Sequence, residues 1–312
     1  WGQLPSLVAG ATGCVLLALA AKRQTASVVG SHLRFAHLRL GATKVFYAPP
    51  GKSALALSEL KPILPGHVVV VPMRSVARLA DLTDQELHDV VETALAAQEL
   101  LRKHYDITAF NWALKDGPSA GQPVPHLHLH LVPRRPGDLK ENDLVYELID
   151  QWSPEEGVLN VPPPIDIPGD DQRRARSEEE MAAEARQYAA ASGDVGGPLP
   201  TSAVQFGKFS LQPTQVFFAS KSGLSLATVN LKPLVPGHVL VVPRRVVALM
   251  QELTPEELSD LWATVRQVQD LLLRCLGASC ANLGVQDGRD AGQSVHHVHV
   301  HILPRGSSAA KL

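Results

Sequence analysis

Residues 35–134 and 206–305 align without a gap at a constant offset of 171, and 42 of the 100 paired positions are identical. KPILPGHVVVVP (61–72) answers KPLVPGHVLVVP (232–243), and DGPSAGQPVPHLHLHLVPR (116–134) answers DGRDAGQSVHHVHVHILPR (287–305). Two copies of domain length make a duplicated domain rather than a solenoid, whose repeats are far shorter. Any fold assigned to one copy must therefore suit the other, and 312 residues leave room for two ordinary domains.

Within each copy, short apolar runs bounded by Gly and Pro predict strands at 44–48, 53–58 and 66–72, matched by 215–219, 224–229 and 237–243. A helix is expected next. Thr83 and Glu86, like Thr254 and Glu257, have the spacing of a capping box, and Pro255 takes the favoured first helical position. Leu258, Leu261, Trp262, Val265, Val268 and Leu272 then recur at three- and four-residue steps, marking a face buried against a sheet. Further strands are expected at 108–114 with 126–132, and at 279–285 with 297–303. The fold class is α+β: tandem domains, each a mostly antiparallel sheet with a packed helix.

This places an N-terminal extension at 1–30, a first domain at 31–151, a linker and tail helix at 152–200, a second domain at 201–305 and a short tail at 306–312. The linker carries Pro162, Pro163, Pro164, Asp170 and Asp171, and Ser177 before Glu178, Glu179 and Glu180 opens a helix to about Ala191. No acidic residue precedes Glu59, and residues 4–21 are uncharged before Lys22 and Arg23. Such a stretch reads as a weak membrane span, an organelle transit peptide or an Ala-rich extension. The chain begins at Trp1 rather than Met, so residues upstream are expected. Ala310-Lys311-Leu312 resembles a peroxisomal address. Cytoplasmic residence is the default, with peroxisomal and organellar alternatives, because Cys14, Cys275 and Cys280 form no disulfide framework or C-x-x-C pair.

A formal net charge of -2 gives no broad electrostatic footprint for nucleic acid or anionic membranes, so an anionic ligand must be held locally. Histidine is where local chemistry concentrates. His126, His128 and His130, and likewise His297, His299 and His301, alternate with apolar residues, so in a strand each trio shares one face. Three readings stand open: a metal site, which lacks a remote fourth ligand; a structural ladder; and nucleophilic catalysis by the central imidazole. The Gly-containing loop before the second trio (Asp287-Gly288, then Ala291 to Val295) can cradle a phosphate with backbone N–H groups, and the Ser294 hydroxyl can donate a proton. That combination favours phosphoryl or nucleotidyl transfer.

At these residues the chain resembles the histidine triad superfamily, whose signature alternates three histidines with apolar residues. A final His, rather than Gln, resembles its hydrolase branches. Val229-Asn230, Lys232-Pro233, Pro236-Gly237-His238 and Gln286-Asp287-Gly288, with GDLKENDLVYEL (137–148) and RSEEEMAAEA (176–185), resemble the fragile histidine triad branch of dinucleoside polyphosphate hydrolases.

That resemblance implies hydrolysis of diadenosine triphosphate to AMP and ADP in the second copy, with His299 as nucleophile and His297 and His301 orienting it. Asn230 would bind ribose, Gln286 the leaving phosphates, and Gly292, Gln293, Ser294 and Val295 the α-phosphate. His238 would hold the triad in register, its competing role being that of a turn histidine. No cofactor is demanded, although Mg or Mn could accompany the polyphosphate. Alternatives are an adenylyl-sulfate or nucleoside phosphoramidate hydrolase, and a nucleotide-binding sensor without turnover. Members of the branch are homodimers, so the fused copies imply a pseudo-dimer within one chain, its tail supplied once, by the first copy.

The first copy departs from the pattern. Pro123 and Pro125 replace Ser294 and His296, Glu59 replaces Asn230, and Lys115 replaces Gln286. Each lost hydrogen bond to a charged group is worth roughly 1.5–3 kcal/mol. The trio His126, His128 and His130 is therefore expected to mark a degenerate site, with Glu59 and Lys115 paired across it; retuning to another nucleotide is the alternative.

Overall fold

In a computed structural model, residues 34–39, 41–59, 61–154 and 173–306 are described. The N-terminal segment, the prolines at 162–164 and Ala310-Lys311-Leu312 lie outside the described residues. No described helix is long and apolar enough to cross a membrane.

The first copy contributes β1 (Arg34–Phe35), β2 (Leu38–Arg39), β3 (Val45–Tyr47), β4 (Ala54–Ser58), β5 (Val68–Pro72), α1 (Asp84–Tyr105), β6 (Ala109–Asp116) and β7 (Leu129–Arg134). After α2 (Leu144–Gln151) and α3 (Glu178–Ser192), the pattern repeats: β8 (Val204–Phe206), β9 (Phe209–Leu211), β10 (Val216–Ala219), β11 (Ser225–Val229), β12 (Val239–Pro243), α4 (Pro255–Leu276), β13 (Cys280–Asp287) and β14 (Val300–Arg305). Both capping boxes form: Thr83 accepts from the Glu86 N–H and Thr254 from the Glu257 N–H, with the glutamates reaching back. The histidine strands begin later than expected. Only His130 and His301 lie within β7 and β14; the earlier histidines occupy an extended lead-in tied by Leu127 N–H to Val76 O and Val298 N–H to Val247 O.

The two copies share one ten-stranded antiparallel sheet in the order β10-β11-β12-β14-β13-β6-β7-β5-β4-β3. Its seam is β6 against β13, where Ala113 faces Gly284, positions related by the offset of 171. Two sets of contacts across the seam are reciprocal, as in an isologous interface. Gln98 Nε2 donates to Asp287 Oδ2 at 2.7 Å while Gln269 donates to Asp116. Asn111 Nδ2 reaches Ala291 O at 3.1 Å and Asn282 Nδ2 reaches Ala120 O at 2.9 Å. The chain is thus a dimer-like unit folded from one polypeptide.

One sheet face carries α1 and α4 over a single apolar core that spans both copies, including Val90, Leu101, Trp112, Trp262, Leu272 and Val300. The histidines occupy the opposite face. There α2 covers the centre, packing Val145 and Ile149 on Ala113 and Val132. The helix α3 follows the first copy in sequence but packs on β10, β11 and α4 of the second, with Tyr188 against Phe217 at 5.2 Å. The single tail is therefore divided, α2 at the centre and α3 on the second copy.

Candidate active site

In the second copy Val298, Val300 and Ile302 are wholly buried in the shared core, which forces the alternating histidines to the other face. His297 is fixed first. The Gly207 N–H donates to its Nδ1 at 3.1 Å, so its proton sits on Nε2 and is given to Pro243 O at 2.8 Å. The next imidazole is held the other way round: His299 Nδ1 lies 2.7 Å from His297 O, an acceptor only, so Nδ1 carries the proton and Nε2 keeps its lone pair.

A third constraint comes from His238. The Leu234 N–H donates to His238 Nδ1 at 3.0 Å, leaving its Nε2–H for His301 Nδ1 at 2.9 Å. Neutral His301 therefore carries its own proton on Nε2. The rings of His299 and His301 lie 4.9 Å apart, and Phe206 stands edge-on to His299 at 5.6 Å. Burial lowers the pKa of His297 and His299 and drives His301 well below the ordinary histidine value. His238 falls to about 3 through burial and the nearby Arg173 and Arg176 charges. The array is a wire of neutral imidazoles with defined tautomers.

The loop before β14 narrows the anion cradle relative to the sequence expectation. The Gly292 and Gln293 N–H groups turn inward, onto Arg289 O and Gly288 O, and the buried Gln293 amide donates to Ala248 O at 2.8 Å. The Gln293 side chain thus braces the loop. No partner among the described residues takes the N–H groups of Ser294, Val295 and His296, and Ser294 is exposed. Gly292 has φ +90°, and a Cβ there would lie 2.9 Å from Gln286 Nε2, so the loop seats directly on the Gln286 amide. Asn230 is held from both sides: its Oδ1 accepts the Lys232 N–H at 3.0 Å, and its carbonyl accepts Arg176 Nε at 2.9 Å.

The first copy keeps the imidazole wiring. Ala36 N–H to His126 Nδ1 (3.0 Å), His126 Nε2 to Pro72 O (2.9 Å), His128 Nδ1 to His126 O (2.8 Å) and His67 Nε2 to His130 Nδ1 (3.1 Å) repeat the second copy bond for bond. Of the three N–H groups facing outward in the second loop, Pro123 and Pro125 delete the counterparts of two.

Glu59 and Lys115 do not pair, contrary to expectation. Lys115 Nζ instead donates to Ile149 O at 2.7 Å at the end of α2, and lies 3.6 Å from Asp150 Oδ1. Glu59 Oε2 accepts the Trp152 indole N–H at 3.1 Å. Trp152, unremarked in the sequence because the repeat offers it no match, sits against His128 and His130 at 5.2 and 4.7 Å. Burial pushes Glu59 up to about 7 and Lys115 down to about 8. Phe35 and Phe206, which flank the two trios, had a signal, since they open the aligned repeat. Among the described residues no group of three or more His, Cys, Asp or Glu stands where it could hold a metal ion.

The family model described as the HIT domain matches residues 42–137 and 211–308, together more than half of the chain. This chain belongs to the HIT domain family. A HIT relative from Schizosaccharomyces pombe, bis(5'-nucleosyl)-tetraphosphatase (asymmetrical), is 55% identical over 100 residues, 32% of this chain and 53% of that protein. The Arabidopsis thaliana bifunctional bis(5'-adenosyl)-triphosphatase/adenylylsulfatase FHIT is 36% identical over 174 residues, 56% of this chain and 91% of that one. The chain thus spans only about half the length of the yeast relative. Among solved structures, the Caenorhabditis elegans NitFhit protein matches at 38% identity over 39% of this chain and 29% of that one, with TM-score 0.34.

Proposed function

We propose that the second HIT copy hydrolyses dinucleoside polyphosphates, converting diadenosine triphosphate to AMP and ADP through a nucleotidyl-histidine on His299. The observation that carries this reading is the tautomer of His299: its Nδ1–H is tied to a carbonyl, which leaves the Nε2 lone pair as its reactive atom. That Nε2 attacks the α-phosphorus. An N–P bond forms, the P–O bond to ADP breaks, and the departing oxygen takes a proton from the Ser294 hydroxyl or water. Water then attacks the same phosphorus, returns a proton to the Ser294 oxygen or to solvent, breaks the N–P bond, and releases AMP with the lone pair restored to Nε2.

The remaining residues serve charge and position. The His301 Nε2–H and the N–H groups of Ser294, Val295 and His296 face a phosphate that gains charge in the transition state. Asn230 and Gln286 hold ribose and the leaving phosphates, and Arg173 and Arg176 add positive potential beside His238. A divalent cation, where used, rides on the substrate polyphosphate. The names of the yeast and Arabidopsis relatives support this substrate class. The Arabidopsis name also favours a second reaction, hydrolysis of adenylyl sulfate, in which sulfate leaves from the same intermediate.

The test is turnover of diadenosine triphosphate and adenylyl sulfate by the wild type, His299→Ala and His128→Ala. Loss of the nucleophile should lower kcat by at least about 10⁴-fold, while His128→Ala stays within about twofold of wild type. The opposite pattern overturns the site, and absence of turnover by the wild type on both substrates and on an AMP amide leaves a nucleotide sensor.

A further inference from the structure

The first HIT copy retains every hydrogen bond that orders its histidines, yet His128 Nε2 and His130 Nε2 are both buried without a hydrogen-bond partner. An orphaned polar atom in the interior needs a reason, because water would otherwise satisfy it. Besides Phe35, His67 and each other, the ring that meets these two imidazoles is the Trp152 indole, 5% exposed, edge-on to His130 (88°) and tilted over His128 (46°). The indole also belongs to the apolar cluster of Leu55, Leu57, Val69, Val71 and Val124 that floors this half of the sheet. In the second copy, the rings meeting His299 and His301 are Phe206, His238 and each other, and neither Nε2 is sealed off without a partner.

We propose that Trp152 is a plug built into the chain, closing the first histidine pocket, and that Glu59 and Lys115 are the two halves of its latch. Glu59 grips the indole N–H. Lys115 grips the carbonyl end of α2, at Ile149 O and Asp150 O, immediately before the plug, where a cation also complements the helix dipole. The Trp152 N–H caps the same turn on Ile149 O at 3.2 Å, so ring and backbone are fixed together. This accounts for two substitutions that do not touch each other: each replaces an amide of the second copy (Asn230, Gln286) with an ionisable side chain, one bonded to the plug and the other to the helix end just before it.

The inference concerns access to the first pocket and holds whether or not the second copy runs the reaction proposed above. Carbethoxylation of the full-length chain by diethyl pyrocarbonate, read by tandem mass spectrometry, tests it directly, because the reagent attacks neutral imidazole nitrogen. In the wild type His299 should react while His128 is slower by roughly tenfold or more, the reagent waiting for local opening. Trp152→Ala should bring His128 close to the rate of His299 and leave His299 unchanged. Trp152→Phe keeps the ring but loses the hydrogen bond to Glu59, and should fall between. Lys115→Met, which leaves the indole intact, should raise the His128 rate as well. Equal rates at His128 and His299 in the wild type overturn the plug. So does continued protection of His128 in a folded Trp152→Ala variant, and should that variant not fold, unchanged protection in both Trp152→Phe and Lys115→Met does the same.

Discussion

At the scale of single residues, the second site works by assigning protons. His297, His299 and His301 are alike in sequence, but a glycine N–H and a second imidazole put the protons of His297 and His301 on Nε2, while a carbonyl puts that of His299 on Nδ1. His238 is the positioning residue in this set. His238→Ala should lower kcat roughly ten- to a hundredfold, the scale on which losing an outer-shell partner is felt, and leave KM nearly constant. It should also move the acidic limb of the kcat/KM–pH profile upward, since His301 would lose the neighbour that settles where its proton sits. An unchanged profile would reduce His238 to a turn residue. In the wild type that limb lies below 6.5, because burial lowers the His299 pKa and keeps its lone pair available in mild acid.

Elements set the distances between these residues, and the β6–β13 seam does most of this. Gln98 bridges two buried groups, accepting the Trp112 indole N–H at 2.6 Å and donating to Asp287 at 2.7 Å. Asp287 in turn accepts the Met250 N–H at 2.8 Å, which fixes the entry to α4. Gln98→Ala leaves an indole N–H and a carboxyl oxygen without these partners, so a loss of about 1–3 kcal/mol is expected from urea unfolding. A value within about 0.5 kcal/mol of wild type would mean the seam does not depend on this bridge. The helices were legible because capping and amphipathic spacing are local. The strand starts were less so: alternation extends back to His126 and His297, but cross-strand pairing begins only where β5 and β12 come alongside.

For the whole molecule, the concentration of buried histidine sets the pH response. His67, His128 and His238 are lowered to about 3, 4 and 3, and His130, His299 and His301 are lowered too, all chiefly by burial. Above pH 6.5 each is neutral folded and unfolded, and contributes nothing to pH dependence. Below 6.5 the unfolded chain takes up protons that the native state refuses, so stability falls as pH falls, by up to about 1.4 kcal/mol per pH unit for each group. Glu59 and Asp287, raised to about 7 and 6, act with the opposite sign but are fewer. Urea midpoints should therefore drop on going from pH 7.5 to 5.5, and a midpoint that rises would contradict the buried, neutral state of the six imidazoles.

The duplication, the α+β class, the capped helices and the alternating trios were all written in local spacing and self-similarity, which a sequence carries without folding. The expectation that the first copy is weak rests on Pro123 and Pro125, since proline lacks an N–H in any structure. What closes that copy could not be read in the same way. Glu59 and Lys115 suggested a pair because their charges are opposite, but Trp152 comes between the sequence positions of neither and has no counterpart in the repeat. Only tertiary packing brings the end of α2 beneath the sheet and sets an indole on two imidazoles, because burial and contact across some ninety residues are decided by the fold. The shared sheet likewise depends on two edges meeting in register, a property of surfaces rather than of any stretch of chain.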